Sequence, residues 1–489
     1  MLNGKNAPVI AANAIAMIVC MLSPPTFSQE PRPNVVMIVV DDMRFDEFGA
    51  GGHPYLRTPN IDALAAQGTV FTNAYHVTPL CSPNRASLLT GQFPSRHGVT
   101  DNTSRSHASH RLATFAIELQ ASGYQTAHIG KWHMGNDPTP RPGYDYWVSF
   151  AGQGRIIDPE LYEDDRMHTV EGYVTDLLTD RAVAFIEQAD DQPFLLYLGH
   201  KAIHPDLTQL DDGTVDLARG SRFIPAARHG DHYDGLSIER APNYGFSAAD
   251  AAQKPVLAQA LDIRNSAAIQ AQFGSLIDPG TSDDSIRKRA QMMLAIDEST
   301  GRILSALDAT GHLENTIVIL TSDNGYFFGE HGLSIERRLP YEAALRNPLI
   351  VRRPEDNSRG RTLDGLVLSI DIAPTILELA GVAIPETVQG LSMAPLLNGT
   401  SDEIRETAYM EYYSHENPMP WTVDLDYRVV RRGDLKYIYW LRFPQQPELY
   451  DLAADPWEMQ NLAGNPEYAG VIAELHTDMR THAVEALGL

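Results

Sequence analysis

Hydrophobic residues along the chain are grouped into short β-branched runs that alternate with longer segments of helical periodicity. The first run, at residues 34–40, is uninterrupted, which is typical of a parallel strand buried on both faces. Further strands are predicted at 126–129, 193–198 and 316–321, and helices at 59–67, 82–90, 112–122, 171–188 and 284–309. This alternation predicts an α/β fold with a large, mostly parallel sheet sandwiched by helices.

The pattern changes in two later regions. Residues 206–280 are rich in Asp, Gly and Ala and show little periodicity, which favours an irregular insertion over the sheet. After about residue 398, apolar runs at 408–413, 427–432 and 435–440 predict antiparallel strands, and 468–487 predicts a closing helix. We therefore expect a main domain at 30–398 and a smaller C-terminal α+β subdomain at 399–489 that forms one wall of the main cleft.

The first 29 residues have the pattern of an export signal. Lys5 gives a short basic start, residues 7–22 are nearly all apolar, and small residues lead to a cleavage site near Ser28. We expect a cleaved signal peptide, no stable membrane span after cleavage, and a periplasmic or secreted protein. An uncleaved anchor and a lipid anchor on Cys20 remain alternatives. Cleavage leaves one of the two cysteines, Cys81, which excludes a disulfide framework.

Composition narrows the classes of function. The 489 residues carry a formal net charge of −25, which repels nucleic acids and anionic lipids, so we expect no nucleic-acid partner. The ordinary share of apolar and charged residues excludes a disordered chain and a multi-span membrane protein. An anionic substrate remains compatible with this charge if the site gathers its own cations.

Polar clusters follow four of the predicted strands. They are Asp41-Asp42, Lys131 with His133, Lys201 with His204, and Asp323-Asn324. Ligands of open α/β sheets bind at the carboxyl ends of the strands, so we expect the four clusters to converge on one crevice. The carboxylate and amide oxygens favour Ca²⁺ or Mg²⁺ over zinc. The lysines and histidines offer proton-transfer groups, and an extended backbone would aim Lys131 and His133 at one face.

Cys81 directly precedes a predicted helix that opens with Ser82-Pro83. The N–H groups of a helix N-terminus favour an anion, and Arg85 on the first turn adds a guanidinium. From the residues alone, Cys81 is either a thiolate nucleophile or a buried cysteine beside the helix. We expect it at a surface crevice rather than in the core. His97 and His331 also lie in motif-like segments, where a structural role is expected.

The segment around Cys81 resembles the signature of the type I sulfatases, within the alkaline phosphatase-like superfamily. The signature is Cys-x-Pro-x-Arg at 81–85, followed by Leu-Thr-Gly at 89–91. The resemblance extends from residue 34 to about 462 and includes Gly-Lys-Trp-His at 130–133, Ser-Asp-Asn-Gly at 322–325 and Glu-Leu-Tyr-Asp-Leu at 448–452. It implies an alkaline phosphatase-like fold and the hydrolysis of sulfate esters.

The resemblance also implies how the site works. A formylglycine-generating enzyme oxidises Cys81 to formylglycine, one hydroxyl of the hydrated aldehyde attacks sulfur, and the other later expels sulfate. One Ca²⁺ is bound by residues that match the metal ligands of the family: Asp41, Asp42, Asp323, Asn324 and the modified residue 81.

The remaining roles follow from the same matching. Arg85 holds residue 81, while Lys131 and His204 contact the sulfate and the leaving oxygen, one of them as general acid. His133 orients or deprotonates the hydrate, and Lys201 is a further substrate contact near His204. The chain departs from the family pattern at Arg337, where a lysine is usual four residues before the Tyr-Glu pair. Arginine keeps the charge and can bind sulfate, but its reach and geometry differ.

The substrate class rests on the same resemblance. Sulfated carbohydrates are the leading class, with small aryl sulfates as further substrates. A phosphomonoester or phosphonate ester hydrolase of the same superfamily and a non-catalytic glycan-binding relative are the alternatives. The pocket mouth is expected near His53, Asn102, Arg155 and the insertion. In the insertion, the expected sugar contacts are Arg222, Phe223, Arg228, His229, His232, Tyr233 and Tyr244.

Overall fold

The computed structural model describes residues 32–103, 106–210, 214–277, 281–354, 360–414 and 419–488. The predicted signal peptide, 1–29, lies outside these residues. The strands are β1 Asn34–Val40, β2 Thr69–Phe71, β3 Ala74–Tyr75, β4 Gln125–Gly130, β5 Tyr146–Ser149, β6 Glu160–Glu163, β7 Arg166–Thr169, β8 Phe194–Gly199, β9 Thr316–Ser322, β10 Leu349–Arg352, β11 Arg361–Leu363, β12 Val367–Leu368, β13 Thr407–Tyr412, β14 Tyr427–Arg432, β15 Leu435–Trp440 and β16 Glu448–Asp451. The helices are α1 Pro59–Gln67, α2 Cys81–Thr90, α3 Pro94–His97, α4 Ser106–Ser109, α5 Phe115–Ala121, α6 Val174–Gln188, α7 Ala248–Gln253, α8 Pro255–Arg264, α9 Ala267–Ile277, α10 Asp283–Ala309, α11 Glu342–Leu345, α12 Ile372–Leu379, α13 Ala394–Asn398 and α14 Ala469–Leu487.

The main sheet is built around its most apolar strand, β1. In the described part of the chain its order is β11-β2-β10-β9-β1-β8-β4-β5-β6-β7. β1 is parallel to both β8 and β9, and β4 continues the parallel set beside β8. β10 and the pair β6 and β7 are antiparallel to their neighbours. The four central strands therefore end at one edge of the sheet.

Every residue of β1 is buried, because helices cover both faces of the sheet. Side chains of a strand alternate between faces, so Val36 and Ile38 join one core and Val35 and Met37 join the other. Helices α1, α6 and α10 pack on the first face, and α2, α5 and α12 pack on the second. This arrangement confirms the predicted α/β fold class.

The insertion at 206–280 is more regular than we predicted. Its second half forms α7, α8 and α9. Ser247 and Asp250 form a capping box at the start of α7, and Pro255 opens α8. The prediction of an irregular segment is therefore wrong for 248–277, where alanine-rich composition hid three short helices.

The C-terminal residues form a separate antiparallel sheet of order β13-β14-β15-β16. One face of this sheet, including Val430 and Tyr437, is covered by α14. The other face, including Val429 and Ile438, packs on Tyr341 and α8 of the main body. Residues Arg32–Leu489 form one compact unit. Among the described residues, no helix is both long enough and apolar enough to cross a bilayer.

Candidate active site

The ends of the central strands bring four polar clusters to one edge of the main sheet. In the register of the sheet, Val40 of β1 lies beside Ser322 of β9, and Gly130 of β4 lies beside Gly199 of β8. The residues that follow these positions are the ones grouped from the sequence: Asp41, Asp42, Asp323, Asn324, Lys131 and Lys201. All six are buried.

Atoms from three elements form a candidate metal centre. One ligand atom each from Asp41, Cys81 and Asp323 lies within 4.8 Å of the others. Sγ of Cys81 is 3.8 Å from Oδ1 of Asp41, and the N–H of Asp42 donates to Oδ1 of Asp323 at 3.1 Å. Asn324 joins the same cluster, since its Nδ2 donates to Oδ1 of Asp42 at 2.6 Å.

The cluster has the properties of a site for a hard cation. Within the described structure, Oδ2 of Asp42 and Oδ1 of Asn324 are buried and have no hydrogen-bond partner. A buried acceptor without a partner is costly, and a divalent cation satisfies it. Burial raises the pKa of Asp41 and Asp42, and the Asp323 carboxylate raises that of Asp41 further. Carboxylate and amide oxygens of this set therefore fit an oxygen-preferring divalent cation.

Cys81 is the first residue of α2, whereas we predicted that it precedes the helix. The N–H of Asn84 donates to the carbonyl of Leu80 at 2.9 Å, which places Cys81 in the first turn. Pro83 is tolerated there because the first N–H groups of a helix lack intrahelical partners. Cys81 is 0% exposed, so the expected surface crevice is also wrong. Burial and the nearby Asp323 raise the pKa of the thiol to about 12, which favours the neutral thiol over a thiolate.

Arg85 joins three elements of the site. Its Nε donates to Oδ2 of Asp323 at 2.8 Å, and its Nη1 donates to the carbonyl of Lys131 at 2.9 Å. The side chain is fully buried on α2. Arg85 therefore holds the first turn of α2 against the ends of β4 and β9, which fixes the position of Cys81.

Lys131 and His133 both reach the site, but not along one extended strand. The ammonium of Lys131 contacts the carboxylate of Asp41 and donates to Oε1 of Gln153 at 2.7 Å. β4 ends at Gly130, and His133 has a left-handed backbone with φ of 59°, so the predicted extended geometry is wrong. The imidazole of His133 meets Gln209 instead, with 3.0 Å between Nε2 and Oε1.

His204 lies between a donor and an acceptor. Nη2 of Arg337 is 2.9 Å from Nε2 of His204, and Nδ1 of His204 is 2.8 Å from the carbonyl of Pro205. Arginine only donates and a carbonyl only accepts, so the proton of the imidazole is on Nδ1. Burial and the charges of Lys131 and Arg337 lower the pKa of His204 well below its usual value. Lys201 lies nearby and donates to the same carbonyl at 3.2 Å.

A cavity opens beside His204 and Arg337. Apolar residues form much of its wall, and the insertion supplies several of them: Leu207, Val215 and Leu276. Met419 adds a contribution from the C-terminal part of the chain, and Asn102 lines the cavity as predicted. Arg155 instead lines a neighbouring depression, and His53 lines a different cleft.

The residues that we predicted to contact sugar do not line this cavity. Phe223 is buried and packs edge-on against Tyr326. Arg228 pairs with Asp176 and Glu298 on the surface. Tyr244 lines the separate cleft with His53. This part of the prediction is wrong, because aromatic and basic composition alone does not show which way a segment faces.

Gln153 and Gln209 were missed from the sequence. Both line the cavity, and both contact residues of the site. Uncharged glutamines in loops carry no motif, so no signal in one sequence distinguishes them. His97 has the expected structural place: its Nε2 is 3.0 Å from Oγ of Ser87. His331 packs against Tyr341 outside the metal cluster.

Comparison with known proteins agrees with this geometry. The sulfatase family model matches residues 33–382, and the C-terminal model of N-sulphoglucosamine sulphohydrolase matches 329–485. An N-acetylglucosamine-6-O-sulfatase of Bacteroides thetaiotaomicron is 33% identical over 510 residues, covering 96% of this chain and 90% of that protein. A structure solved with its substrate, D-glucosamine-2-N,6-O-disulfate, has a TM-score of 0.77 at 29% identity and covers 93% of this chain and 98% of that one. A phosphonate monoester hydrolase of Silicibacter pomeroyi shares the fold, with a TM-score of 0.72 at 23% identity over 93% of this chain and 96% of that one.

The parallel sheet with a candidate metal centre at its carboxyl edge defines a hydrolase of the alkaline phosphatase-like superfamily. Within that superfamily, the match over residues 33–382 shows that the chain belongs to the sulfatase family. The protein is a sulfuric ester hydrolase.

Proposed function

We propose that this sulfatase hydrolyses sulfate esters of carbohydrates, using formylglycine made from Cys81 and one bound Ca²⁺. The observation that carries the proposal is the position of Cys81: its Sγ lies 3.8 Å from both Oδ1 of Asp41 and Nη2 of Arg337. A nucleophile at residue 81 is thereby placed between metal ligands and a fixed cation. Sulfate esters carry negative charge, so a site of this kind favours them.

The side chains around residue 81 divide the remaining work. Hydrated formylglycine at residue 81 would supply the hydroxyl that attacks sulfur. Calcium, when bound by the four oxygen ligands, would supply positive charge that offsets the charge of the sulfate. Arg337 and Lys201 bind the sulfate oxygens, and Arg85 keeps residue 81 in place. Lys131 is the general acid in this arrangement, because its ammonium carries protons whereas Nε2 of His204 accepts a hydrogen bond from Arg337.

The carbohydrate assignment is supported by relatives and by the cavity. The relatives that cover most of the chain include enzymes named for sulfated N-acetylglucosamine and a structure bound to a disulfated glucosamine. The cavity lies beside His204 and Arg337, where the alcohol part of a bound sulfate ester would be placed. Its apolar wall suits the ring of a sugar, while Asn102 and Arg338 offer polar groups toward its substituents.

Maturation and location complete the proposal. A formylglycine-generating enzyme is the partner that modifies Cys81. The apolar segment 7–22 directs export, so the enzyme meets its substrate in the periplasm or outside the cell.

The test is a substrate panel run beside a mass measurement. We expect protein made with a formylglycine-generating enzyme to carry an aldehyde at residue 81. This protein should hydrolyse sulfated glucosamines faster than it hydrolyses aryl phosphates or phosphonates. Fast turnover of phosphonates with no desulfation of carbohydrates would refute the proposal. An unmodified Cys81 in fully active protein would refute the nucleophile.

A further inference from the structure

Two buried glutamines connect Lys131 to His133. Gln153 follows β5 and Gln209 lies in the loop after β8, and they are 4% and 9% exposed. Oε1 of Gln153 accepts from Nζ of Lys131 at 2.7 Å. Nε2 of Gln153 donates to Oε1 of Gln209 at 3.2 Å, and that oxygen lies 3.0 Å from Nε2 of His133. The four side chains form one continuous chain of hydrogen bonds.

Lys131 sets the direction of donation along this whole chain of hydrogen bonds. An ammonium group has three donors and no acceptor, so the oxygen of Gln153 must face Lys131. The amide NH₂ of Gln153 then faces Gln209, which must present its own oxygen. That oxygen can only accept, so His133 donates to it from Nε2. Nδ1 of His133 is left without a proton, and it is buried with no partner among the described residues.

The backbone of His133 is held beside the residue that follows Cys81. Oγ of Ser82, the residue after Cys81, is hydrogen-bonded to the carbonyl of His133. His204 has the opposite arrangement, with its proton on Nδ1 and its Nε2 occupied by Arg337. The two histidines therefore carry their proton on different nitrogens. Of the two, only His133 has a ring nitrogen, Nδ1, whose lone pair accepts no hydrogen bond from the described residues.

We propose that Gln153 and Gln209 are positioning residues that lock His133 in the Nε2–H tautomer, so that Nδ1 accepts the proton released at residue 81. The tautomer is independent of the reaction, but the proton transfer rests on the proposed function. The proton leaves a hydroxyl oxygen of residue 81 and becomes bound to Nδ1 as that oxygen bonds to sulfur. At the same time the bond between sulfur and the ester oxygen breaks, and the leaving oxygen takes a proton from Lys131. The resulting imidazolium keeps its Nε2–H bond to Gln209, and it returns the proton to water after sulfate leaves.

The direct test is ¹⁵N NMR of histidine-labelled protein, with His133 assigned from the spectrum of His133→Asn. The wild type should show His133 as the neutral Nε2–H tautomer. Gln209→Leu removes the acceptor, so both tautomers should be populated. Gln209→Glu keeps an oxygen that accepts from both Gln153 and His133, so it should restore the wild-type tautomer. The Nδ1–H tautomer in wild type, or an unchanged tautomer in Gln209→Leu, would overturn the proposal.

Kinetics on an aryl sulfate separate positioning from substrate binding. Gln209→Leu should lower kcat by about tenfold or more, within the range expected for general-base catalysis, and leave KM within about twofold. Gln209→Glu should recover most of kcat. Gln120→Leu, on α5 and outside the cavity, is the matched glutamine control. A loss confined to KM would count against positioning. If His133 has the stated tautomer but the wild type hydrolyses no sulfate ester, the role of the two glutamines in fixing the tautomer stands and the proposed function fails.

Discussion

Nε of Arg337 lies 2.7 Å from Oδ1 of Asp42, so the cation at the position where the family resemblance predicts a lysine contacts a proposed metal ligand directly. The same guanidinium reaches Nε2 of His204. A planar group with several donors can make both contacts at once, whereas a lysine offers one compact ammonium. Arg337 therefore couples the candidate metal centre to His204.

Replacing Arg337 tests this coupling. Arg337→Ala should lower kcat/KM for an aryl sulfate by about 10²–10³-fold, the loss typical of one charged donor in an active site. Arg337→Lys should lose about tenfold, because charge is kept but one of the two contacts is lost. Steady-state kinetics with both variants provide the measurement. Equal activity of Arg337→Lys and wild type would show that the two simultaneous contacts of the planar guanidinium have no role.

The metal should stabilise the folded protein as well as the reaction. Calcium at one hundred times its Kd should add about 2.7 kcal/mol to the free energy of unfolding. Asp42→Ala and Asn324→Ala each remove an oxygen that lacks a partner, so both should abolish the rise in Tm on adding calcium. Asp308→Asn, an exposed acid on α10, is the control and should keep the full rise. Thermal unfolding with and without chelator decides the matter, and a calcium-induced rise retained in Asp42→Ala would contradict the ligand assignment.

Cys81→Ala should fold but not turn over. The side chain is small and buried, so its loss should cost about 1 kcal/mol of stability, measured by denaturant unfolding. Turnover of aryl sulfate should fall to background, because alanine cannot be oxidised to an aldehyde. Wild-type protein from a host without a formylglycine-generating enzyme should behave in the same way. Residual activity near the wild-type level in Cys81→Ala would remove residue 81 from the mechanism.

Lys201 should give KM a dependence on pH. Burial and the charge of Lys131 lower the pKa of Lys201 to about 8. Its ammonium is therefore present below about pH 8 and is lost as the pH rises through that value. If this cation binds sulfate, KM should rise about tenfold between about pH 7 and 9, the size of one charged hydrogen bond.

Two variants separate this effect from other titrations. Lys201→Arg stays charged, so its KM should be flat over the same range. Lys201→Met should have a raised KM at every pH. A rise in KM that persists in Lys201→Arg would assign the dependence to another group.

The small sheet depends on a buried ion pair. Nζ of Lys436 on β15 lies 2.7 Å from Oε1 of Glu458 and 3.0 Å from Oε1 of Glu342 in the main body. Lys436→Met leaves the buried Glu458 without its cation and removes one partner of Glu342, so it should cost about 3–5 kcal/mol. Lys288→Met removes a partly exposed lysine paired with the exposed Asp284 and should change stability little. Denaturant unfolding of both variants gives the comparison, and equal effects would show that burial of the pair is unimportant.

The strands could be predicted because each is a continuous apolar run, and the clusters after them followed from the rule for parallel sheets. Asp42 and Asp323 converge for this reason, although 281 positions separate them in the sequence. The sequence could not show the chain of contacts from Lys131 through Gln153 and Gln209, since it depends on two loops meeting across the cavity.

Other differences have readable causes. The capping box at Ser247 and Asp250 and the proline at 255 were signals for α7 and α8 that composition concealed. The left-handed backbone of His133 has no such signal, because tertiary contacts with Ser82 and Gln209 hold it. Local patterns thus defined the strands and helices, whereas the direction in which loop side chains point depended on contacts with residues distant in the sequence.

The burial of Cys81 bears on the order of events during synthesis. The site needs Asp323, so it cannot assemble until the ribosome has passed β9 at Thr316–Ser322. From the moment residue 81 emerges until that point, the thiol is open to solvent, and afterwards it is 0% exposed. If residue 81 becomes formylglycine as proposed, the modifying enzyme has to act on the growing or still unfolded chain. Fast folding would close that interval and leave Cys81 unmodified.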